Sequence, residues 1–244
     1  MAYNQREIDV LTFTLRGDIA HFRQPDTTIT QATYPFPPRP TLHGLIGAIL
    51  GINYTTPEWK EFLYGKNYLG LTLLSPIKTV CMQLSLLGKG FLGSGGEFNR
   101  PTSVELVVSP AYRVFYAGER LTELTEKIRK CQSVFPTYLG SAYCLTFPEY
   151  VDCNKGNVIN NHEDVILSTV VPQDIVEKIY LQEGQVYAAA RAMPYMHNGD
   201  RTFNGTTTVY YETNGRELSV KLSKESSIPY VIVELPGGDR VCLW

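Results

Sequence analysis

No apolar run in this chain approaches the ~20 residues that a membrane-spanning helix needs. The longest is LIGAILGI at 45–52, and the polar start MAYNQREID lacks the apolar centre of a secretory leader. A soluble cytoplasmic protein with no membrane partner is the expectation. Cysteine is sparse and badly spaced for covalent work. The five residues, at 81, 131, 144, 153 and 242, are odd in number and contain no C-x-x-C pair, which argues against a disulfide framework and a thiolate zinc site. Histidine is scarcer still, at 21, 43, 162 and 197, with no H-E-x-x-H, and the His162-Glu163-Asp164 run has no second ligand group beside it. Neither a G-x-S-x-G elbow nor a G-K-[ST] phosphate loop occurs. No cofactor or metal is therefore expected, and nothing in the inventory demands an enzyme.

What is present is a chain of 244 residues, 43% hydrophobic, enough to bury a sizeable core. Its net charge of −2 hides a division. Residues 1–139 hold 14 Lys plus Arg against 11 acids, whereas 140–244 hold 8 against 13. The two parts are expected to face different partners.

Apolar periodicity predicts strands at 8–16, 67–74, 78–87, 102–108 and 111–116, and helices at 41–50, 57–64 and 119–131. The first strand alternates, with Leu11, Phe13 and Leu15 on one face and Ile8, Val10, Thr12 and Thr14 on the other, the pattern of a half-buried strand. After residue 140 short apolar stretches are punctuated by Asn-Gly pairs at 198, 204 and 214, each read as a hairpin turn. Strand, helix, three strands, helix, strand is the order of an α+β, ferredoxin-like or RRM-like sheet with a smaller β-rich lobe after it.

Two stretches stand out. In "TYPFPPRPTLHG" Pro35, Pro37, Pro38 and Pro40 impose an extended backbone, so Tyr34, Phe36 and Arg39 are expected to be displayed with little entropy left to lose. The following helix has an apolar stripe, Leu42, Leu45, Ile46, Ile49 and Leu50. Its second stripe, Gly44, Gly47, Ala48 and Gly51, has no bulk, so either the chain's own backbone packing or a nucleic-acid or protein partner must approach it closely. The second stretch is "LLGKGFLGSGGEFNRPT", 86–102. GKGFLG matches G-x-G-x-x-G literally, but no helix opens within it and no acidic residue follows on schedule, so the dinucleotide reading fails. A hairpin extension fits better, with Lys89 and Arg100 placed for phosphates and Phe91 and Phe98 for stacking or packing.

"AHFRQPDTTITQATYPFPPRPTLHGLIGAILG" (20–51), "RPTSVELVVSPAYRVFYAG" (100–118) and "VFPTYLGSAYC" (134–144) resemble the Cas-five family of CRISPR-associated proteins, its type I-B branch most of all. The resemblance implies an RRM-like domain over 1–140 with a β-hairpin thumb near 84–108, and a smaller β-rich domain over 141–244. It also implies a place in a type I Cascade complex, gripping the 5′ handle of CRISPR RNA, capping the Cas-seven backbone and docking the Cas-eight large subunit. Target DNA would be met only through that complex. The expected RNA-contacting set is His21, Arg23, Tyr34, Arg39, Lys89, Phe91 and Arg100. The family's type I-C branch cuts precursor RNA with a tyrosine and an adjacent lysine and histidine; no Lys-His dipeptide occurs in this chain. The expectation is a non-catalytic RNA-binding subunit. The alternatives are a metal-independent endoribonuclease using Tyr34, His21 or His43 with Arg23, and a protein-only adaptor.

Overall fold

The computed structural model describes residues 6–25, 30–88, 96–159, 164–198 and 202–244. In chain order the first part holds β1 (Glu7–Arg16), β2 (Ile19–Ala20), β3 (Thr30–Gln31), α1 (Arg39–Leu50), α2 (Pro57–Tyr64) and β4 (Asn67–Leu73). β5 (Thr79–Gly88), β6 (Phe98–Val108), β7 (Ala111–Gly118) and α3 (Leu121–Arg129) follow. Apart from one 3-10 turn at Gln173–Ile175, the regular elements of the second part are strands: β8 (Glu149–Ile159), β9 (Asp164–Leu167), β10 (Val171–Pro172), β11 (Val176–Tyr180), β12 (Tyr187–His197), β13 (Phe203–Glu212), β14 (Leu218–Leu222), β15 (Val231–Glu234) and β16 (Arg240–Leu243). No described helix is long and apolar enough to cross a membrane.

The largest sheet has the order β16-β15-β8-β1-β7-β4, antiparallel at every step. β1 lies inside it and is buried from Val10 to Leu15 on both faces, not on one. Leu11, Phe13 and Leu15 join the main core with α1 and α3, while Val10 packs with Phe115, Val233 and Val241 in a second cluster. The alternation is present, but Thr12 and Thr14 are buried as well, because a central strand of a covered sheet has no solvent side. Three of the six strands come from beyond residue 140, so a boundary drawn there cuts across the sheet. Trp244, just past β16, exchanges both backbone hydrogen bonds with Leu69 of β4, at 3.2 and 2.9 Å. The two sheet edges thus meet at the far end of the order. Gly70 permits this approach, since a Cβ there would lie 2.8 Å from the Cys242 carbonyl oxygen.

β5 and β6 pair continuously from Thr79↔Val107 to Gly88↔Phe98, forming the long hairpin expected from the sequence. β6 begins at Phe98, earlier than the expected 102, and runs through Pro101. The proline is tolerated because its nitrogen lies at a position that faces away from β5, where no bond of this ladder is lost. Residues 89–95, with Lys89 and Phe91 among them, lie outside those described. The opposite side of β6 takes β2 and β3.

Among the Asn-Gly pairs, Gly199 lies outside the described residues, and Asn198, just past β12, donates from its N–H to the Thr202 carbonyl at 2.9 Å. Asn204-Gly205 is not a turn; it lies inside β13, with φ +72° at the glycine. Asn214-Gly215 does turn the chain, but between β13 and β14, which belong to different sheets. There Glu212 accepts N–H bonds from Val186, Asn214 and Arg216, at 3.1, 2.8 and 2.9 Å. Burial opposes ionisation, yet these donors together hold its carboxyl below the usual range.

Candidate nucleic-acid interface

The proline-rich stretch is a clamp. Pro38 is the N-cap of α1 and Pro40 sits in its first turn, where a missing N–H costs nothing, and the helix closes on Gly51 at φ +83°. Upstream, the loop is stitched to β6. Thr33 N–H donates to Glu105 Oε2 at 3.0 Å, and Phe22 N–H donates to Thr33 Oγ1 at 2.8 Å. His21 Nδ1 donates to the Glu105 carbonyl at 2.8 Å. Because a carbonyl only accepts, this bond fixes the neutral His21 tautomer with its proton on Nδ1. Burial lowers the His21 pKa, and the nearby Arg23 charge adds to the effect.

Tyr34, Phe36 and Arg39 are not displayed. Each is buried, at 3, 2 and 7% exposure, and each reaches into the C-terminal part of the chain. Tyr34 Oη donates to the Ala192 carbonyl at 2.7 Å, and the Phe36 ring meets Tyr211 edge-on at 5.2 Å. Arg39 donates from Nε to the Trp244 carbonyl at 3.1 Å and from Nη2 to the Asn67 carbonyl at 3.0 Å. Its guanidinium also lies 5.3 Å over the Tyr195 ring. The prolines do pre-set the backbone, but strands from beyond residue 140 cover what they present. His43 is sealed at 1% exposure with both ring nitrogens unpartnered, and burial, then Arg39 and His197, drive its pKa well below the usual value.

The residues that remain outward are Arg23, at the mouth of the loop, and Arg100, on β6. The structure therefore brings His21, Arg23, Tyr34 and Arg39 into one region and leaves Arg100 on the hairpin. Among the described residues, no three His, Cys, Asp or Glu side chains gather to hold a metal ion.

Sequence reasoning missed two concavities that adjoin the loop. The smaller, about 190 Å³, is lined by His21, Arg23, Pro38, Pro40 and Phe203. The larger is an open groove of about 860 Å³ between α1 and the 135–145 segment, lined by Gly44, Ala48, Tyr54, Phe135, Tyr138 and Leu145. Thr41 and Gly140 line both, so the two are contiguous. Gly140 stands at φ +85°, with the His21 carbonyl where a side chain would begin. The bare face of α1 is thereby explained. Trp59 covers Gly47 and Val134 covers Gly51, while Gly44 is open to the groove. The 134–147 segment holds the missed signal, since "VFPTYLG" sets exposed Val134, Phe135 and Tyr138 among turn residues, and no periodicity announces a groove wall.

The family described as CRISPR-associated protein (Cas_Cas5) matches residues 10–65, the stretch holding β1, the clamp, α1 and α2. The chain is similar in fold to a CRISPR protein from Archaeoglobus fulgidus, with TM-score 0.55 and 16% identity over 96% of this chain and 98% of that one. It is also similar to a chain of a CRISPR RNA-guided surveillance complex, with TM-score 0.51 and 12% identity over 89% and 94% of the two chains. No curated protein sequence matches it.

Proposed function

We propose that this Cas-five-like chain, related to subunits of CRISPR surveillance complexes, is a non-catalytic RNA-binding subunit of a type I-B Cascade. It binds the 5′ handle of CRISPR RNA, caps the Cas-seven backbone and docks the Cas-eight large subunit. The observation that carries the reading is the family match over residues 10–65, the segment from which the clamp and the groove wall are built. The order β8-β1-β7-β4, with α1, α2 and α3 on the connections, supports a ferredoxin-like or RRM-like core.

Arg23 and Arg100, outward and cationic, are assigned to handle phosphates, together with Lys89. Phe91 is assigned to stacking on the same RNA, while His21, Tyr34 and Arg39 act from behind by fixing the loop that carries Arg23. A non-catalytic role is supported by the candidate acid-base groups: the Tyr34 hydroxyl is committed to a carbonyl and the His43 ring is sealed from solvent. The test is co-expression with the sibling subunits and a repeat-containing transcript. Co-elution of this chain with processed RNA and the backbone subunit is expected. Cleavage of that transcript by the isolated chain in EDTA, lost in Tyr34→Phe, would overturn the reading in favour of a nuclease.

A further inference from the structure

β5 is the outer strand of the hairpin, and its free edge has an unusual composition. Val108 N–H donates to the Lys78 carbonyl at 2.9 Å while Thr79 faces Val107. In an antiparallel ladder that single bond sets the alternation for the whole strand. The backbone groups of Val80, Met82, Leu84 and Leu86 bond to β6, and those of Thr79, Cys81, Gln83, Ser85 and Leu87 point away from it. Among the described residues no strand pairs with that outer side.

Edges of this kind are ordinarily guarded by charge, proline, a bulge or short length. β5 has none of these. It is ten residues long, TVCMQLSLLG, without a charged residue or a proline, and its register with β6 runs unbroken. Val80, Met82 and Leu87 are exposed hydrophobics along it, at 41, 47 and 68%. Alternating N–H and C=O groups at strand spacing are matched only by another extended backbone. A phosphate chain brings no donor for the outward carbonyls, and β5 offers it no cation.

We infer that the outer edge of β5 is a strand-addition site that takes an extended, uncharged segment of another polypeptide in the assembly. The segment's apolar side chains alternate so as to lie beside Val80 and Met82. This rests on the reading of the chain as an assembly subunit. The added strand makes main-chain bonds to Cys81, Gln83 and Ser85 and continues the apolar face of the hairpin, so the sheet of β2, β3, β5 and β6 gains its outer strand beside β5 only in the complex.

Gln83→Pro is the decisive variant, because it deletes an outward N–H while sparing the β5–β6 ladder. Met82→Lys, which puts a charge on the apolar face, serves beside it should the proline perturb folding. Hydrogen exchange over residues 79–88 is compared between the isolated chain and the purified ribonucleoprotein complex, and complex yield is measured for both variants. Exchange at least tenfold slower in the complex is expected, with yield down tenfold or more in both variants while the RNA affinity and melting temperature of the isolated chain stay put. A complex that forms with β5 exchanging as fast as in the free chain overturns the inference alone. A stable dimer of the isolated chain that Gln83→Pro dissociates assigns the edge to a second copy and overturns it too. Failure of any complex to form removes the functional reading and this inference with it.

Discussion

Between residues 33 and 40 every aromatic and basic side chain turns inward, whereas along β5 and the outer part of β6 Val80, Met82, Phe98 and Arg100 turn out to solvent. Both stretches mix apolar with polar residues. They differ in what the rest of the chain places across from them. The clamp lies under β12, β13 and Trp244, which offer the Ala192 and Trp244 carbonyls and the Tyr195 and Tyr211 rings as partners. The hairpin has β6 on one side of β5 and nothing described on the other. Substitutions in the clamp should therefore be read in stability, and substitutions on the hairpin and loop mouth in binding.

The largest separation is expected from Arg39→Leu. It removes two charge-assisted bonds and leaves the Asn67 carbonyl without its Arg39 donor, while the Trp244 carbonyl keeps the Leu69 N–H, for a loss of about 3 kcal/mol. Arg100→Ala should stay within about 0.5 kcal/mol of the parent, as exposed sites do. Urea denaturation of the two variants measures the difference, and equal losses would erase the distinction between the regions.

Acid should act on the clamp side next. His43 is held neutral, so below the ordinary value of 6.5 the unfolded chain takes up a proton that the folded one refuses. Stability is then full above pH 6.5 and declines as pH falls below it, by up to about 1.4 kcal/mol per pH unit for that ring. His21 is shifted in the same direction. Denaturation at pH 7.5 and 5.5 should show the decline, and His43→Leu should flatten it.

Tyr34→Phe gives up one hydrogen bond to Ala192, at a cost of about 1 kcal/mol, with RNA retention unchanged in a filter-binding assay. Lost retention at unchanged stability would move Tyr34 to the binding side. The smallest effect on folding and the clearest on binding belongs to Arg23→Ala and Arg100→Ala. Each should make the log-log salt dependence of RNA affinity shallower by about 0.7, while thermal melting is unmoved. An unchanged slope in both would withdraw the phosphate assignment.

Much of the first part was legible in sequence because its signals are local. Thr56-Pro57 starts α2, Pro38 and Gly51 bracket α1, and the stripe from Leu42 to Leu50 is the buried one. The largest slip in a strand boundary came where Pro101 disguised the start of β6, and the two-residue strands β2 and β3 left no signal. The later part was harder to read. Asn204-Gly205 carries the strongest hairpin signal and sits within a strand, because β13 pairs with β12 on both sides of it. Of the candidate site residues, Arg23 and Arg100 are outward as the expectation requires, but the inward turn of Tyr34, Phe36 and Arg39 was not legible.

The helices, the hairpin and the stiffness of the proline stretch follow from local sequence, since φ limits, capping and periodicity act over a few residues. Which face of that stretch is covered depends on residues far away along the chain. The partners of Arg39 are the carbonyls of Asn67 and Trp244, 28 and 205 residues away along the chain. Burial is a property of what packs opposite, and nothing in a local window specifies that. The same fact, reversed, leaves the outer edge of β5 bare among the described residues: its composition invites a neighbour, and none of them supplies one.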